Sequence, residues 1–168
     1  MTREEEDALF ARLAAGDGEA FARLYHELRT PVYTVLYRVV GQRETAEDLT
    51  HDLFLRLYEA PPGTEVHSKR AWVFRMARNL AIDALRTSHP TEEADETLPA
   101  EEGERELSLD LSAALQSLPP EEREIVTWHA VLGLPFREIT QITGMNLPLV
   151  WRRYRNAISK LKKQMGEV

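Results

Sequence analysis

An acidic stretch near the middle of the chain, punctuated by prolines, lacks the apolar periodicity of a buried face, and so it divides whatever folds around it. Between Thr91 and Asp110 stand Glu92, Glu93, Asp95, Glu96, Glu101, Glu102, Glu104, Glu106 and Asp110, with Arg105 the one base among them. Pro90, Pro99 and Gly103 interrupt regular backbone, and apolar periodicity is missing from Thr87 to about Glu106. At 168 residues the chain has room for one domain or two small ones. We therefore expect a helical domain over 1–87, a flexible acidic linker over 88–108 and a second domain over 109–168.

The same stretch changes the meaning of the net charge. The whole chain carries −7, but the acids of this one segment account for more than that, so the remainder is slightly positive. Lys69 to Arg86 holds Lys69, Arg70, Arg75, Arg78 and Arg86 against Asp83. Arg152 to Lys163 holds Arg152, Arg153, Arg155, Lys160, Lys162 and Lys163 with no acid. Local patches, rather than totals, decide whether a surface attracts a polyanion.

Outside the acidic stretch the pattern is helical and sustained strand alternation is missing, which gives an all-α fold class. Leu9, Phe10 and Leu13 mark a helix over Glu4 to Ala15. Asp17 stands as the N-cap of a second, whose stripe is Ala20, Phe21, Leu24, Tyr25 and Leu28. Pro31 is expected to break or kink it, with helix resuming from Val32 to Val40 and stopping at Gly41. Thr45 to Tyr58 and Ser68 to Arg86 complete an N-terminal bundle, the latter capped by Ser68. Beyond the linker, Leu111, Leu115 and Leu118 mark a helix halted by Pro119-Pro120. The next runs from Pro120 to about Leu132 and ends at Gly133. A short helix over Pro135 to Thr143, a turn at Gly144-Met145-Asn146 and a last helix over Leu147 to Gln164 follow.

That last pair has the form of a helix-turn-helix. Phe136, Ile139 and Ile142 give the short helix one buried stripe. Val150, Tyr154, Ala157, Ile158 and Leu161 line one side of the long one, while Arg152, Arg153, Arg155, Asn156 and Ser159 fall away from it. Such a helix fits the major groove of DNA; a solvated basic face on a terminal helix would look the same. In the run Arg70 to Arg86, aromatic and basic groups alternate in a way that suits phosphate contacts and base stacking. There Trp72, Met76, Leu80 and Ala84, at four-residue spacing, are expected in the core. Arg75, Arg78, Asn79 and Arg86 remain as ligand candidates.

Other classes find little support. His26, His51, His67, His89 and His129 are scattered, and neither a His-Glu-x-x-His pair nor a phosphate-cradling glycine loop is present. Glu47, Asp48 and Asp52 share a helix side without a ligand set to complete a metal site. We expect no catalysis, no cofactor and no metal. The absence of cysteine fits a reducing compartment. The acidic start Met1 to Asp7 is unlike a signal peptide, and the apolar stretches fall short of a membrane span, so a cytoplasmic protein without membrane insertion is expected.

Three motifs in order bring the chain close to a known family. Ala46-Glu47-Asp48-Leu49-Thr50-His51-Asp52-Leu53-Phe54-Leu55-Arg56-Leu57 resembles the core-polymerase-binding helix of sigma factors. Trp72 to Arg86 resembles the adjoining part that engages the −10 element. Leu118 to Val126 with the helix-turn-helix resembles region 4, which binds the −35 element. With no further domain between them, the chain is similar to the small extracytoplasmic-function group. The resemblance implies that Asp48, His51, Asp52 and Phe54 meet the β′ clamp of core RNA polymerase. It also implies that the Ala60 to Ser68 loop and the start of the next helix hold a flipped base from the opened −10 strand. Arg75, Arg78, Asn79 and Arg86 then contact that strand, and Arg152, Arg153 and Arg155 contact −35 DNA. The β flap and an anti-sigma factor are further implied partners. Glu47 and Asp48 have a plainer reading too, as acids favoured near a helix N-terminus. The alternative for the whole chain is a degenerate sigma-like or helix-turn-helix regulator that acts as an interaction module.

The chain departs from the family's pattern at three places. His51 replaces a common glutamine. Thr87-Ser88-His89-Pro90 leads into acid where relatives continue with arginine. Leu149-Val150-Trp151-Arg152-Arg153 stands in place of Thr-Val-Lys-Ser-Arg. Leu149 and Trp151 cannot reproduce a hydroxyl or a lysine phosphate contact, which leaves the −35 preference open; an indole there can stack, touch a thymine methyl or pack against another part of the protein. In the family the linker threads a positive channel of the polymerase; in the free protein a run of carboxylates also suits the Arg152 to Lys163 face. If it lies there, deleting Glu92 to Glu106 raises nonspecific DNA affinity at low salt, measured by fluorescence anisotropy. An unchanged affinity identifies a simple solvated spacer.

Overall fold

The structure, a computed structural model, describes residues 1–87 and 109–166, and the expected acidic linker over 88–108 lies outside them. Every regular element among the described residues is helical. The chain divides into two compact units, Met1–Leu98 and Pro99–Val168.

In the first unit α1 (Arg3–Ala14), α2 (Gly18–Val40), α3 (Arg43–Glu59) and α4 (Lys69–Thr87) form a bundle around α2, which packs against the other three. Local chemistry fixes where each begins. The Thr2 hydroxyl accepts the Glu5 N–H while the Glu5 carboxylate accepts the Thr2 N–H, a reciprocal cap for α1. The Asp17 carboxylate accepts the amides of Glu19 and Ala20 at the head of α2. The Ser68 hydroxyl accepts the Ala71 amide, as its position suggested. Gly41 closes α2 with φ near 75°, a left-handed conformation that costs other residues about 1 kcal/mol or more.

Pro31 does not break α2, which runs unbroken through it. A proline inside a helix costs about 3 kcal/mol through its missing N–H and its ring. Leu28, Val32, Val35 and Leu36 lie on either side of it, all buried. Each contributes roughly 1.5–3 kcal/mol by leaving water, so tertiary burial outweighs the local penalty. On α4 the core face also differs from expectation. Ala71, Val73, Phe74, Ala77, Leu80 and Ala81 are buried, whereas Trp72, Met76 and Ala84 are half-buried. Four-residue steps drift about 40° around a helix each time, so a strict four-residue series cannot stay on one face. Glu6 of α1, nearly buried, accepts both the Nε–H and an Nη–H of Arg70 at 3.2 and 2.8 Å, which ties α1 to α4.

In the second unit α5 (Leu109–Ser117), α6 (Pro120–Val126), α7 (Phe136–Thr143) and α8 (Leu147–Gln164) build a smaller core. Ala114, Leu115, Leu118 and Val126 meet Ala157 and Leu161 of α8. The Arg123 guanidinium donates to the carbonyls of Leu115, Gln116 and Leu118, filling acceptors left open at the end of α5. Lys160 donates to the carboxylate of Glu122 at 2.9 Å, joining α6 to α8. The helix expected from Pro120 to Leu132 is α-helical only to Val126, after which Thr127–Val131 widens into a π turn. There Trp128 is buried with its indole N–H on Glu124, and its carbonyl accepts the Leu134 amide. The wider turn thus satisfies a large side chain and the following loop together.

The Asp17 carboxyl lies below the usual carboxylate range, first because Arg12 donates a hydrogen bond to it at 2.8 Å and then because two helix amides do so, against an opposing contribution from desolvation. Its folded-state pKa is depressed, so its contribution is present above the unfolded value and is lost as pH falls through the folded one. Thermal melts from about pH 5 down to about pH 2 should therefore fall more steeply for the wild type than for Asp17→Asn, which keeps a cap but cannot ionise.

Candidate polymerase and nucleic-acid interfaces

Three helices present stripes of side chains that the cores do not use. On α3, Ala46, Thr50, Leu53, Phe54 and Leu57 face inward. The opposite side carries Asp48, His51, Asp52, Leu55 and Glu59, one helical stripe by their spacing. Asp48 and His51 are exposed, and Asp52 pairs with Arg56 at 3.2 Å across one exposed turn, a contact worth little by itself. Phe54 belongs elsewhere. At 2% exposure its ring packs edge-on against Tyr25 at 4.8 Å and near Phe21 at 6.5 Å, so it is bundle core and offers nothing to a partner. The apolar part of this stripe is instead Leu55, 49% exposed, with Tyr58, 58% exposed, at its edge against Phe21. Neither was singled out from sequence. Counting a helical period outward from Leu53 and Leu57 would have found both.

On α4, Arg75, Asn79 and Arg86 are exposed and follow one line along the helix; Arg78 is half-buried beside it. Arg86 lies 4.0 Å from Asp83, both largely in water. Phe74, an aromatic ring of the same run, is buried in the bundle core and takes no part in this line. Trp72 is the aromatic group left partly accessible next to this line.

The second unit has the helix-turn-helix geometry its sequence suggested. α7 presents Ile139 and Ile142 to the core, while Phe136 is half-buried and packs against His129 at 4.4 Å and Tyr154 at 5.3 Å. Gly144 takes a φ near 80° at the turn, and the Asn146 side chain accepts the Leu149 amide at 2.9 Å to start α8. Val150, Ala157 and Leu161 anchor α8, which leaves Trp151, Arg152, Arg155, Asn156 and Ser159 exposed on its far side. The three candidate arginines separate here. Arg152 is exposed, and Arg155 lies with its guanidinium 5.1 Å from the Trp151 ring centre. Arg153 turns the other way, half-buried, paired with Glu121 and touching the Met145 sulfur. Its place around the helix puts it over α6, so it braces the unit instead of facing outward.

Among the described residues, groups of three or more metal-ligating side chains and helices long and apolar enough to cross a membrane are both absent.

Two family models match the chain: sigma-70 region 2 over residues 24–90 and sigma-70 region 4 over 108–161. The chain is 36% identical over 152 residues to the ECF RNA polymerase sigma factor BldN of Streptomyces coelicolor, a match that covers 82% of this chain and 57% of that protein. It is 30% identical to SigE of Mycolicibacterium smegmatis, covering 81% of this chain and 58% of that one. It thus spans somewhat more than half the length of these two relatives. Against SigW of Bacillus subtilis the identity is 26%, with 91% and 92% of the two chains covered. Among solved structures, the sigma factor RpoE of Bartonella quintana, crystallised with the anti-sigma factor NepR, has the same fold, with a TM-score of 0.69 at 20% identity over 87% of this chain and 96% of that one.

The reassignment of Phe54 is open to a direct check. Phe54→Ala should cost roughly 3–5 kcal/mol of stability in urea unfolding, whereas Leu55→Ala should stay within about 0.5 kcal/mol.

Proposed function

We propose, from the premise that this chain belongs to the sigma-70 family and to its extracytoplasmic-function type, that it is a transcription initiation factor. It binds core RNA polymerase and directs it to promoters with −35 and −10 elements. The observation that carries this reading is the pairing of two family regions, in family order, with two helical units that each hold charged side chains outward.

On this reading the α3 stripe grips the β′ clamp. Asp48, His51 and Asp52 supply charge and hydrogen bonds, and Leu55 and Tyr58 supply the apolar contact once assigned to Phe54. Acids around an apolar patch orient a basic partner and exclude wrong ones. The α4 line of Arg75, Asn79 and Arg86, flanked by Arg78, follows the opened −10 strand. On α8, Arg152 and Arg155 face −35 DNA, with Arg153 supporting them from behind. The second unit also meets the β flap. An anti-sigma factor is a further partner, since a solved relative of the same fold is bound to one. Recognition without catalysis, cofactor or metal, in the cytoplasm where core polymerase acts, belongs to the same reading. The Glu121–Arg153 pair favours a second reading, an interaction module that retains the family fold with a weakened DNA face.

Run-off transcription with core polymerase separates the two. Asp48→Arg should weaken core binding on the order of tenfold or more. Arg152→Ala should reduce promoter affinity and lower the salt slope by about one, as loss of one phosphate contact does, while Arg153→Ala leaves the slope unchanged. A chain that binds core polymerase yet supports no promoter-specific transcript is the interaction module.

A further inference from the structure

Trp151 is placed where a residue that reads DNA is expected, but its chemistry is neither basic nor hydrogen-bonding along most of its surface. It lies in the second turn of α8, counted from Leu147, on the outward side and half exposed. A half-exposed indole offers a partner an apolar face with a polar tip. Its surroundings form a shallow groove with Leu147, Pro148, Arg152, Arg155 and Asn156. Leu147 is itself 47% exposed, so an apolar strip runs along the N-terminal end of the helix that would enter the groove of DNA. Basic and amide groups border that strip, and acids do not. This charge pattern suits a nucleic acid edge far better than another protein's basic surface.

The Arg155 guanidinium faces the Trp151 ring at 5.1 Å, one helical turn further on. Such a cation–π contact restrains both side chains before any ligand arrives. In the major groove the one apolar feature on a base edge is the C5-methyl of thymine, and an apolar side chain on a recognition helix is matched to it. The N-terminal residues of such a helix are those that reach base edges.

We propose that Trp151, held in place by Arg155, is a specificity-determining residue that selects thymine in the −35 element through apolar contact with its methyl group. This rests on reading the second unit as a promoter-binding module. Arg155 is a positioning residue for the indole, and Arg152 and Asn156 supply the polar contacts beside it.

The test uses holoenzyme reconstituted from the full chain and core polymerase. Its preferred −35 sequence is first selected from a randomised promoter library, and each thymine in it is then replaced singly by uracil, which lacks only the methyl. At one position the wild-type holoenzyme should lose roughly fourfold in affinity, the worth of about one buried methyl group. Trp151→Ala should bind the thymine promoter more weakly and show no difference between thymine and uracil there. Arg155→Ala should shrink the difference, because the indole is then unrestrained. Circular dichroism of both variants verifies that α8 is intact, and Trp151→Leu, which keeps an apolar contact, should retain part of the discrimination. The proposal is overturned if wild type shows no uracil effect at any position, or if the effect survives unchanged in Trp151→Ala. A holoenzyme with no −35 preference at all overturns the promoter-binding reading of the unit along with it, so the two failures are told apart.

Discussion

Burial of α2 along its whole length is the interaction on which the first unit depends. Its inner stripe, Ala20, Leu24, Leu28, Val32, Val35 and Leu36, is fully or almost fully out of water and touches each of the other helices in turn. A bundle this small has one core and little to spare. That pressure explains why Pro31 is carried inside the helix and why Phe54 is drawn inward from a surface-like motif. It also explains the small residues at close contacts, with Ala46, Ala71, Ala77 and Ala81 all buried. Once the core has taken these residues, the outward stripes of α3 and α4 are what remain. The functional surface is therefore the complement of the packing solution.

Charge is partitioned in the same manner. Some ionic groups are spent within a unit: Glu6 with Arg70, Glu122 with Lys160, Glu121 with Arg153. In each a residue near the start of one helix is tied to another helix, which fixes the approach of two elements more than it adds stability. Others, such as Asp48 and Arg152, have their heads in water. Composition alone counts both kinds equally, and only their place around a helix tells them apart.

Much of this was legible in the sequence. The division into two helical units, the caps at Asp17, Ser68 and Asn146, and the stops at Gly41 and Gly144 followed from local chemistry, which acts over a few residues. What was not legible depended on contacts distant in sequence. Phe54 looked outward because its neighbours in the motif, Asp52 and Arg56, do; Tyr25 and Phe21, some thirty residues earlier, decide otherwise. Arg153 could not be separated from Arg152 and Arg155 without knowing that α6 brings Glu121 beneath it. The π turn at Thr127–Val131 had no marker other than Trp128, whose bulk reads as ordinary helix.

The corner between α5 and α6 is held by Arg123 through three main-chain oxygens. Main-chain oxygens are present whatever amino acid occupies the position. The three hydrogen bonds of this joint therefore do not depend on the side chains of residues 115, 116 and 118, although Leu115 and Leu118 are separately fixed by the core they fill. A single guanidinium thus sets the angle between α5 and α6, and the outward side of α8 takes no part in holding that corner.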